Sequence, residues 1–167
     1  GRTTLTEPEA KGVLAAFGIP VVETRVAASA EAVAAVAADL LTRSQAIVVK
    51  LLSRDVSHKS DVGGVVLGIR TAEAAATAAH GIAGRLAAKL PAAPIDGFTV
   101  QAMIERPNAH ELIIGVTEDN LFGPFILFGA GGTSVDVVAD TAIGLPPLDL
   151  KLARDLIGQT RIAKLLN

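Results

Sequence analysis

The chain has 167 residues, half of them hydrophobic and 19% charged, with a formal net charge of -2. No apolar run approaches the ~18 to 20 residues that cross a bilayer, and no basic patch suits nucleic acid or a membrane surface. Cysteine is absent, which excludes disulfides and thiolate metal sites. We therefore expect a soluble, cytoplasmic protein with neither nucleic acid nor membrane as a partner.

Helices and strands alternate over the first part of the chain. Thr6 and Glu9 have the spacing of a capping box ahead of a short helix, which Gly18 and Pro20 end. The segments that follow are predicted, in chain order, as a strand (21–26), a helix capped by Ser29 (29–42), a buried strand (46–52), a strand (63–69) and a helix capped by Thr71 (72–90).

The pattern changes near residue 95 from mixed elements to strands. The predicted strands are 97–104, 110–118, 123–129 and 134–140, followed by helices at 149–158 and 160–166. The turn signal "DN" followed by "FGP" predicts an antiparallel hairpin between the second and third of these strands. This change predicts an α+β fold with two lobes. Because Gly1 is no initiator methionine and the sequence stops within a predicted helix, we interpret the chain as a fragment.

Lys50 is a charged residue in the middle of the apolar segment "AIVVKLL". An unpaired ammonium group there would cost several kcal/mol, so it needs an anion or a route to solvent. A phosphate charge at about 4 Å would return roughly 4 kcal/mol at an effective dielectric near 20, before desolvation. The alternative is a lysine on an edge strand whose side chain extends into water.

The segment "HKSDVGG", residues 58–64, gathers ionisable groups before a glycine pair. Gly63 and Gly64 allow backbone N–H groups to approach a phosphate, and Ser60 adds a hydroxyl group. The imidazole of His58 offers a neutral nitrogen nucleophile that can accept a phosphoryl group. The spacings of a Walker A loop and of a Rossmann fingerprint are absent. The alternative is an ordinary solvated turn.

Glu111 begins the predicted strand "LIIGV", where a strand end can present a carboxylate and backbone groups to a ligand. The alternative is a plain surface charge. No group of histidine and acidic residues has the spacing of metal ligands, so we predict no metal site within this chain.

Four stretches together resemble the ATP-grasp module of the ADP-forming acyl-CoA synthetases, in family order and spacing. They are "LTEPEAKGVLAAFGIPV", "VVKLLSRDVSHKSDVGGVVLGI", "VQAMIERPNAHELIIGVTED" and "FGPFILFGAGG". The similarity covers nearly the whole chain. It implies a two-lobed ATP-grasp fold, with the smaller lobe and its glycine loop in 1–104, part of the larger lobe in 105–167, and the nucleotide between them.

The resemblance also implies roles for single residues near the phosphates. Lys50 matches the strand lysine that contacts phosphate, and Gly63 with Gly64 matches the glycine loop. His58 matches the histidine of the "HKSD" motif, which acts in this family as a second phosphoryl carrier facing the nucleotide.

The rest of the nucleotide has its own implied contacts. Gln101, Met103 and Ile104 match the hinge whose backbone binds adenine, and Glu111 matches the glutamate near the ribose. ATP or ADP with Mg²⁺ is the implied cofactor. The acidic motif that helps hold magnesium in the family follows the point where this sequence stops, so we expect the metal ligands beyond residue 167.

The implied activity is that of an acid–thiol ligase working through phosphohistidine, with a CoA-binding or CoA-ligase domain or subunit as partner, in an oligomer. The chain alone is expected to be inactive. An alternative is a regulatory ligand-binding module fused to a GNAT-type lysine acetyltransferase, which "RPNAHELIIGVTED" also resembles. A third interpretation is an α/β interaction domain without catalysis.

Overall fold

The chain divides into two units, Gly1–Glu105 and Arg106–Asn167. A computed structural model describes residues 5–56, 58–132 and 139–166. Both units combine helices with antiparallel sheet, which confirms the predicted α+β class. Their assignment as the smaller lobe, 1–104, and part of the larger lobe, 105–167, stays a prediction.

The first unit is built around a four-stranded antiparallel sheet in the order β1-β4-β2-β3. Its elements are α1 (Glu7–Ala16), β1 (Thr24–Ala27), α2 (Ala30–Leu41), β2 (Ile47–Leu52), β3 (Val65–Ile69), α3 (Ala72–Lys89) and β4 (Gly97–Ala102). β1 begins three residues later than the predicted strand 21–26, and the other elements match their predicted segments closely.

The helices of this unit begin where their capping residues predict. The Thr6 side chain and the Glu9 carboxylate form a capping box at α1. Ser29 accepts the Ala32 N–H at α2, and Thr71 caps α3 in the same way. Such caps contribute about 1 kcal/mol each because they satisfy amide groups that the helix leaves unpaired. None of the described helices is long and apolar enough to cross a membrane.

The sheet has two different faces because side chains alternate along β2. Ile47, Val49 and Leu51 are fully buried and belong to the core formed with α2 and α3. Burial of each such side chain contributes roughly 1.5–3 kcal/mol. Lys50 lies on the opposite face, directly across from Thr99 of β4.

The second unit contains a three-stranded antiparallel sheet in the order β5-β6-β7. Its elements are β5 (Leu112–Asp119), β6 (Gly123–Ala130), β7 (Thr141–Gly144), α4 (Leu150–Gly158) and a 3₁₀ helix (Ile162–Leu165). The predicted hairpin between β5 and β6 is confirmed. Asp119 stabilises its turn by accepting the N–H groups of Leu121 and Phe122.

The end of the chain differs from the sequence-based prediction. Residues 134–138 of the predicted strand 134–140 lie outside the described residues. β7 was not predicted, because a four-residue segment ending in glycine carries little periodicity. The helix predicted over 160–166 is a short 3₁₀ helix (Ile162–Leu165). The N–H groups of Arg161, the residue before it, and of Ile162, its first residue, donate to the buried carboxylate of Asp140 at 2.7 Å each.

Candidate functional site

Lys50 occupies the only position of β2 that is not buried. β2 lies between β4 and β3, so the alternative of a lysine on an edge strand is wrong. Only 20% of the Lys50 side chain is exposed, and its ammonium group lies on the sheet face away from α2 and α3. Of the two options that the sequence left open for Lys50, an anion or a route to solvent, the structure provides an anion within the protein.

That anion is the carboxylate of Glu7, in the first turn of α1. Glu7 Oε1 lies 2.8 Å from Lys50 Nζ and 3.0 Å from Lys11 Nζ, and Glu7 Oε2 lies 3.7 Å from Lys59 Nζ. Burial alone would raise the pKa of Glu7, but the hydrogen bonds and charges of Lys50 and Lys11 hold it below its ordinary value. One carboxylate is thus shared by three lysines.

Lys11 connects this cluster to the side chain of Gln101. Lys11 Nζ donates to Thr24 Oγ1 and to Gln101 Oε1, at 2.7 Å each. A lysine ammonium can only donate, so the contacting atom of Gln101 must be its oxygen, and the amide nitrogen is the side that can face a ligand. Sequence analysis missed Glu7 and Lys11, although their i,i+4 spacing on the predicted helix was a signal.

The glycine pair closes a tight turn between β2 and β3. Gly63 N–H donates to Ser60 O at 2.9 Å, and Gly64 N–H donates to Lys59 O at 2.7 Å. Gly63 has a φ of +66°, and a Cβ at Gly64 would come within 2.8 Å of Lys59 O. The glycines are therefore required by the turn itself. Contact of their N–H groups with phosphate stays a prediction, and it requires these two hydrogen bonds to open.

Two basic residues of α3, which sequence analysis also missed, stabilise this turn by side-chain hydrogen bonds to its backbone. Arg85 Nε donates to Gly63 O at 2.9 Å, and Lys89 Nζ donates to Asp61 O at 2.7 Å. His58 and Ser60 are exposed, and His58 O accepts the Asp61 N–H. Backbone hydrogen bonds thus stabilise the turn, and the His58 imidazole is exposed to solvent.

The predicted hinge follows β4 directly. Met103 N–H donates to Ala46 O at 2.9 Å, so this amide extends the pairing of β4 with β2. Ile104 is exposed. A cavity of about 320 Å³ lies beside the hinge, with Arg43, Arg70 and Met103 among its lining residues. An adenine contact at Met103 stays a prediction, and it would use groups other than this N–H unless the pairing with Ala46 opens.

Glu111 belongs to the second unit and is held through its backbone. Glu111 O accepts the Gly131 N–H at 2.7 Å. A Cβ at Gly131 would lie 2.9 Å from the Leu112 carbonyl carbon, so only glycine fits there. The Glu111 side chain is exposed and extends over Gly132. Across the described residues, no group of three histidine or acidic side chains is placed to hold a metal ion.

Comparison with known proteins identifies the relatives of this chain. A family model described as "ATP-grasp domain" matches residues 1–167. The chain is 32% identical over 162 residues to acetate–CoA ligase (ADP-forming) I subunit beta of Pyrococcus furiosus, covering 97% of this chain and 68% of that protein.

Two solved structures of one synthetase are also similar to this chain. Dinucleotide-forming acetyl-coenzyme A synthetase 1 of Ca. Korarchaeum cryptofilum, in complex with coenzyme A, Ca-AMPCP and HgCl⁺, matches with a TM-score of 0.89 and 36% identity, over 100% of this chain and 71% of that one. A second structure of that synthetase, with coenzyme A and Mg-AMPPCP, has its phosphohistidine segment pointing towards the nucleotide binding site. It matches with a TM-score of 0.74 and 32% identity, over 99% of this chain and 68% of that one.

Proposed function

Because this chain belongs to the ATP-grasp domain family and is homologous to ADP-forming acyl-CoA synthetases, we propose that it binds the nucleotide in such an enzyme, an acid–thiol ligase. The complete enzyme interconverts acyl-CoA, ADP and phosphate with a carboxylate, CoA and ATP. The regulatory alternative, a module fused to a GNAT-type acetyltransferase, gains no support from the relatives described above, which are named as ligases and synthetases.

The observation that carries this proposal is the position of Lys50. It lies on an interior strand, on the sheet face that α2 and α3 leave uncovered, with two further lysines near the same carboxylate. Its ammonium group makes one hydrogen bond to a described residue, which leaves two N–H groups to donate. A lysine so placed suits the phosphates of ATP or ADP.

His58 is the proposed phosphoryl carrier on this chain. Lys59, its neighbour, approaches Glu7 to 3.7 Å, so the turn that carries His58 lies beside the Lys50 cluster. In the transfer, the phosphorus–nitrogen bond of phosphohistidine breaks while a bond forms between phosphorus and a β-phosphate oxygen of ADP. Lys50 and Lys59 stabilise the charge on the transferred group, which is the main requirement of this chemistry. Ser60, Gly63 and Gly64 complete the phosphate side of the proposed site.

The remaining contacts and partners are proposed from the family. Gln101, Met103 and Ile104 would line the adenine, and Glu111 would bind the ribose. Magnesium would enter with the nucleotide, which the Mg-AMPPCP complex of the Ca. Korarchaeum cryptofilum synthetase supports. Its protein ligands are proposed, from the family resemblance alone, to lie beyond residue 167. A CoA-binding domain or subunit would supply the CoA-ligase chemistry, since the Pyrococcus furiosus relative is a beta subunit.

Calorimetric titration of the chain with ADP tests the proposal. Lys50→Ala should weaken binding by roughly 10- to 100-fold, because a hydrogen bond to a charged group is worth about 1.5–3 kcal/mol. Lys151→Ala is the matched control, since it removes an exposed lysine of α4 that pairs with Asp155. Absence of ADP and ATP binding by the unchanged chain would exclude the proposed function. Equal affinity in both lysine variants would remove Lys50 from the site.

A further inference from the structure

We propose that Glu7 is an internal competitor for the phosphate site: its carboxylate makes the contacts with Lys50 and Lys59 that a phosphate group of the ligand would make, so the ligand binds by displacing it. The ligand class, a nucleotide phosphate, rests on the proposed function. The competition itself rests on the contacts of Glu7 and applies to any small polyphosphate.

The Glu7 carboxylate is placed between two ammonium groups, as a bound anion would be. Its Oε1 is 2.8 Å from Lys50 Nζ, and its Oε2 is 3.7 Å from Lys59 Nζ. A phosphate group offers the same pair of anionic oxygen atoms, with one more oxygen and more charge. Because the Glu7 carboxylate lies between Lys50 Nζ and Lys59 Nζ, a phosphate group that contacts both ammonium groups would take its position.

Lys11 is the member of the cluster that does not serve a ligand. Its ammonium group has three hydrogens, and it has three partners in Glu7, Thr24 and Gln101. These contacts join α1 to β1 and β4. Lys11 therefore anchors the helix that carries Glu7, and the ligand-binding capacity remains with Lys50 and Lys59.

Lys50 and Lys59 can each donate more hydrogen bonds than they make to the described residues. Among the described residues, Lys50 Nζ has a single partner, Glu7. Lys59 Nζ approaches Glu7 only to 3.7 Å, which is longer than a hydrogen bond. One carboxylate facing three ammonium groups leaves the cluster with a net charge of about +2. A phosphate with two negative charges therefore matches these lysines better than Glu7 does.

Glu7 is also able to move away. α1 has no buried residue, so displacement of its first turn exposes little additional apolar surface. A residue held by polar contacts to a largely exposed helix can exchange those contacts for water or for a ligand. The same change within the core helices α2 or α3 would open the hydrophobic core.

Calorimetry on the full chain with inorganic pyrophosphate, followed by ADP, tests the competition. Glu7→Gln keeps the shape of the side chain and removes its charge, and we expect it to bind pyrophosphate roughly tenfold more tightly than the unchanged chain. Glu9→Gln is the matched control, because it removes the same charge from the same helical turn and also weakens the capping box. It should change the affinity by no more than about twofold. A purely structural role for Glu7 predicts the opposite sign, weaker binding.

Each outcome of this experiment either supports or overturns the inference. Equal or weaker pyrophosphate binding by Glu7→Gln, an equal gain in Glu9→Gln, or no pyrophosphate binding by any form overturns the inference. Tighter pyrophosphate binding by Glu7→Gln without any binding of ADP or ATP supports the inference and overturns the proposed function. If Glu7→Gln does not fold by circular dichroism, Glu7→Asp serves in its place, because its shorter carboxylate withdraws from Lys50. Glu7→Asp must then bind pyrophosphate more tightly than the unchanged chain, and any other result overturns the inference.

Discussion

Lys50 of β2 and Glu7 of α1 form an ion pair with 2.8 Å between Nζ and Oε1. The two residues are 43 positions apart in sequence. Each would be costly to hold on this face alone, since an ammonium or a carboxylate group loses hydration there. Together with Lys11, Lys50 outweighs the effect of burial on Glu7, whose pKa is lowered.

The first prediction concerns this pKa. Lys50→Met keeps a long side chain but removes the charge and the hydrogen bond to Glu7, so the pKa of Glu7 should rise. Titration of the Glu7 carboxyl carbon by NMR measures the change. Lys151→Met, which breaks the exposed pair with Asp155, should leave the pKa of Glu7 where it is. An unchanged pKa in Lys50→Met would mean that Lys50 does not stabilise the Glu7 carboxylate.

The second prediction concerns phosphoryl transfer in the proposed complete synthetase, with the proposed CoA-binding domain or subunit present. His58→Asn removes the nucleophilic nitrogen from the turn, so acid-labile phosphate label on this chain should disappear. His80→Asn is the control, because His80 is an exposed residue of α3 whose Nε2 lies 3.6 Å from Glu31. Undiminished label together with full turnover in His58→Asn would remove His58 from the mechanism.

Local features of this region could be predicted from sequence, and contacts between distant residues could not, because they depend on tertiary structure. The capping box of Thr6 and Glu9 was predicted because its contacts span three residues. The apolar neighbours of Lys50 predict that its ammonium group needs an anion or a route to solvent. Its partner, Glu7, was not predicted, because only the folded sheet shows which residues face Lys50.

The glycine turn shows the same limit on a smaller scale. The sequence predicts that Gly63 and Gly64 let their N–H groups approach a phosphate, and this stays a prediction. The structure shows that Gly63 has a φ of +66°. The sequence does not show where their N–H groups are directed. In the structure, the carbonyls of Ser60 and Lys59 accept both of them, because the chain reverses within a few residues.

The third prediction tests the close approach at this turn. Gly64→Ala would place a Cβ 2.8 Å from the backbone oxygen of Lys59, so we expect a loss of about 1–3 kcal/mol in the free energy of unfolding. Gly84→Ala is the matched control, since its added Cβ meets open space within α3 and should stabilise by about 0.5–1 kcal/mol. Urea denaturation compares the two. A neutral Gly64→Ala would show that the turn adapts to a side chain.

The fourth prediction concerns acid stability of the second unit. Hydrogen bonds from the N–H groups of Arg161 and Ile162 outweigh burial and hold the pKa of Asp140 below its ordinary value. A depressed pKa in the folded state gives stability that is present above the unfolded pKa and lost as pH falls through the folded one. Asp140→Asn should therefore lower Tm at neutral pH. The gap, which is the difference in Tm between this variant and the unchanged chain, should narrow below about pH 4. A gap that is constant with pH would contradict an ionised Asp140. Asp155→Asn, which affects an exposed pair with Lys151, should show little gap at any pH.

The last prediction concerns Thr99, which lies across from Lys50 on β4 and is fully buried. Its Oγ1 has no hydrogen-bond partner among the described residues, which costs about 1–3 kcal/mol in the folded state. Thr99→Val replaces this hydroxyl by a methyl group of similar size, so the free energy of unfolding should stay equal or rise by about 1 kcal/mol. Thr160→Val is the matched control, because Thr160 is also buried but donates to Ile157 O at 2.7 Å, and it should be destabilising. Urea denaturation of both variants gives the comparison. If Thr99→Val loses as much stability as Thr160→Val, the Thr99 hydroxyl is hydrogen-bonded in solution. That hydrogen bond would lie on the same face of the sheet as Lys50.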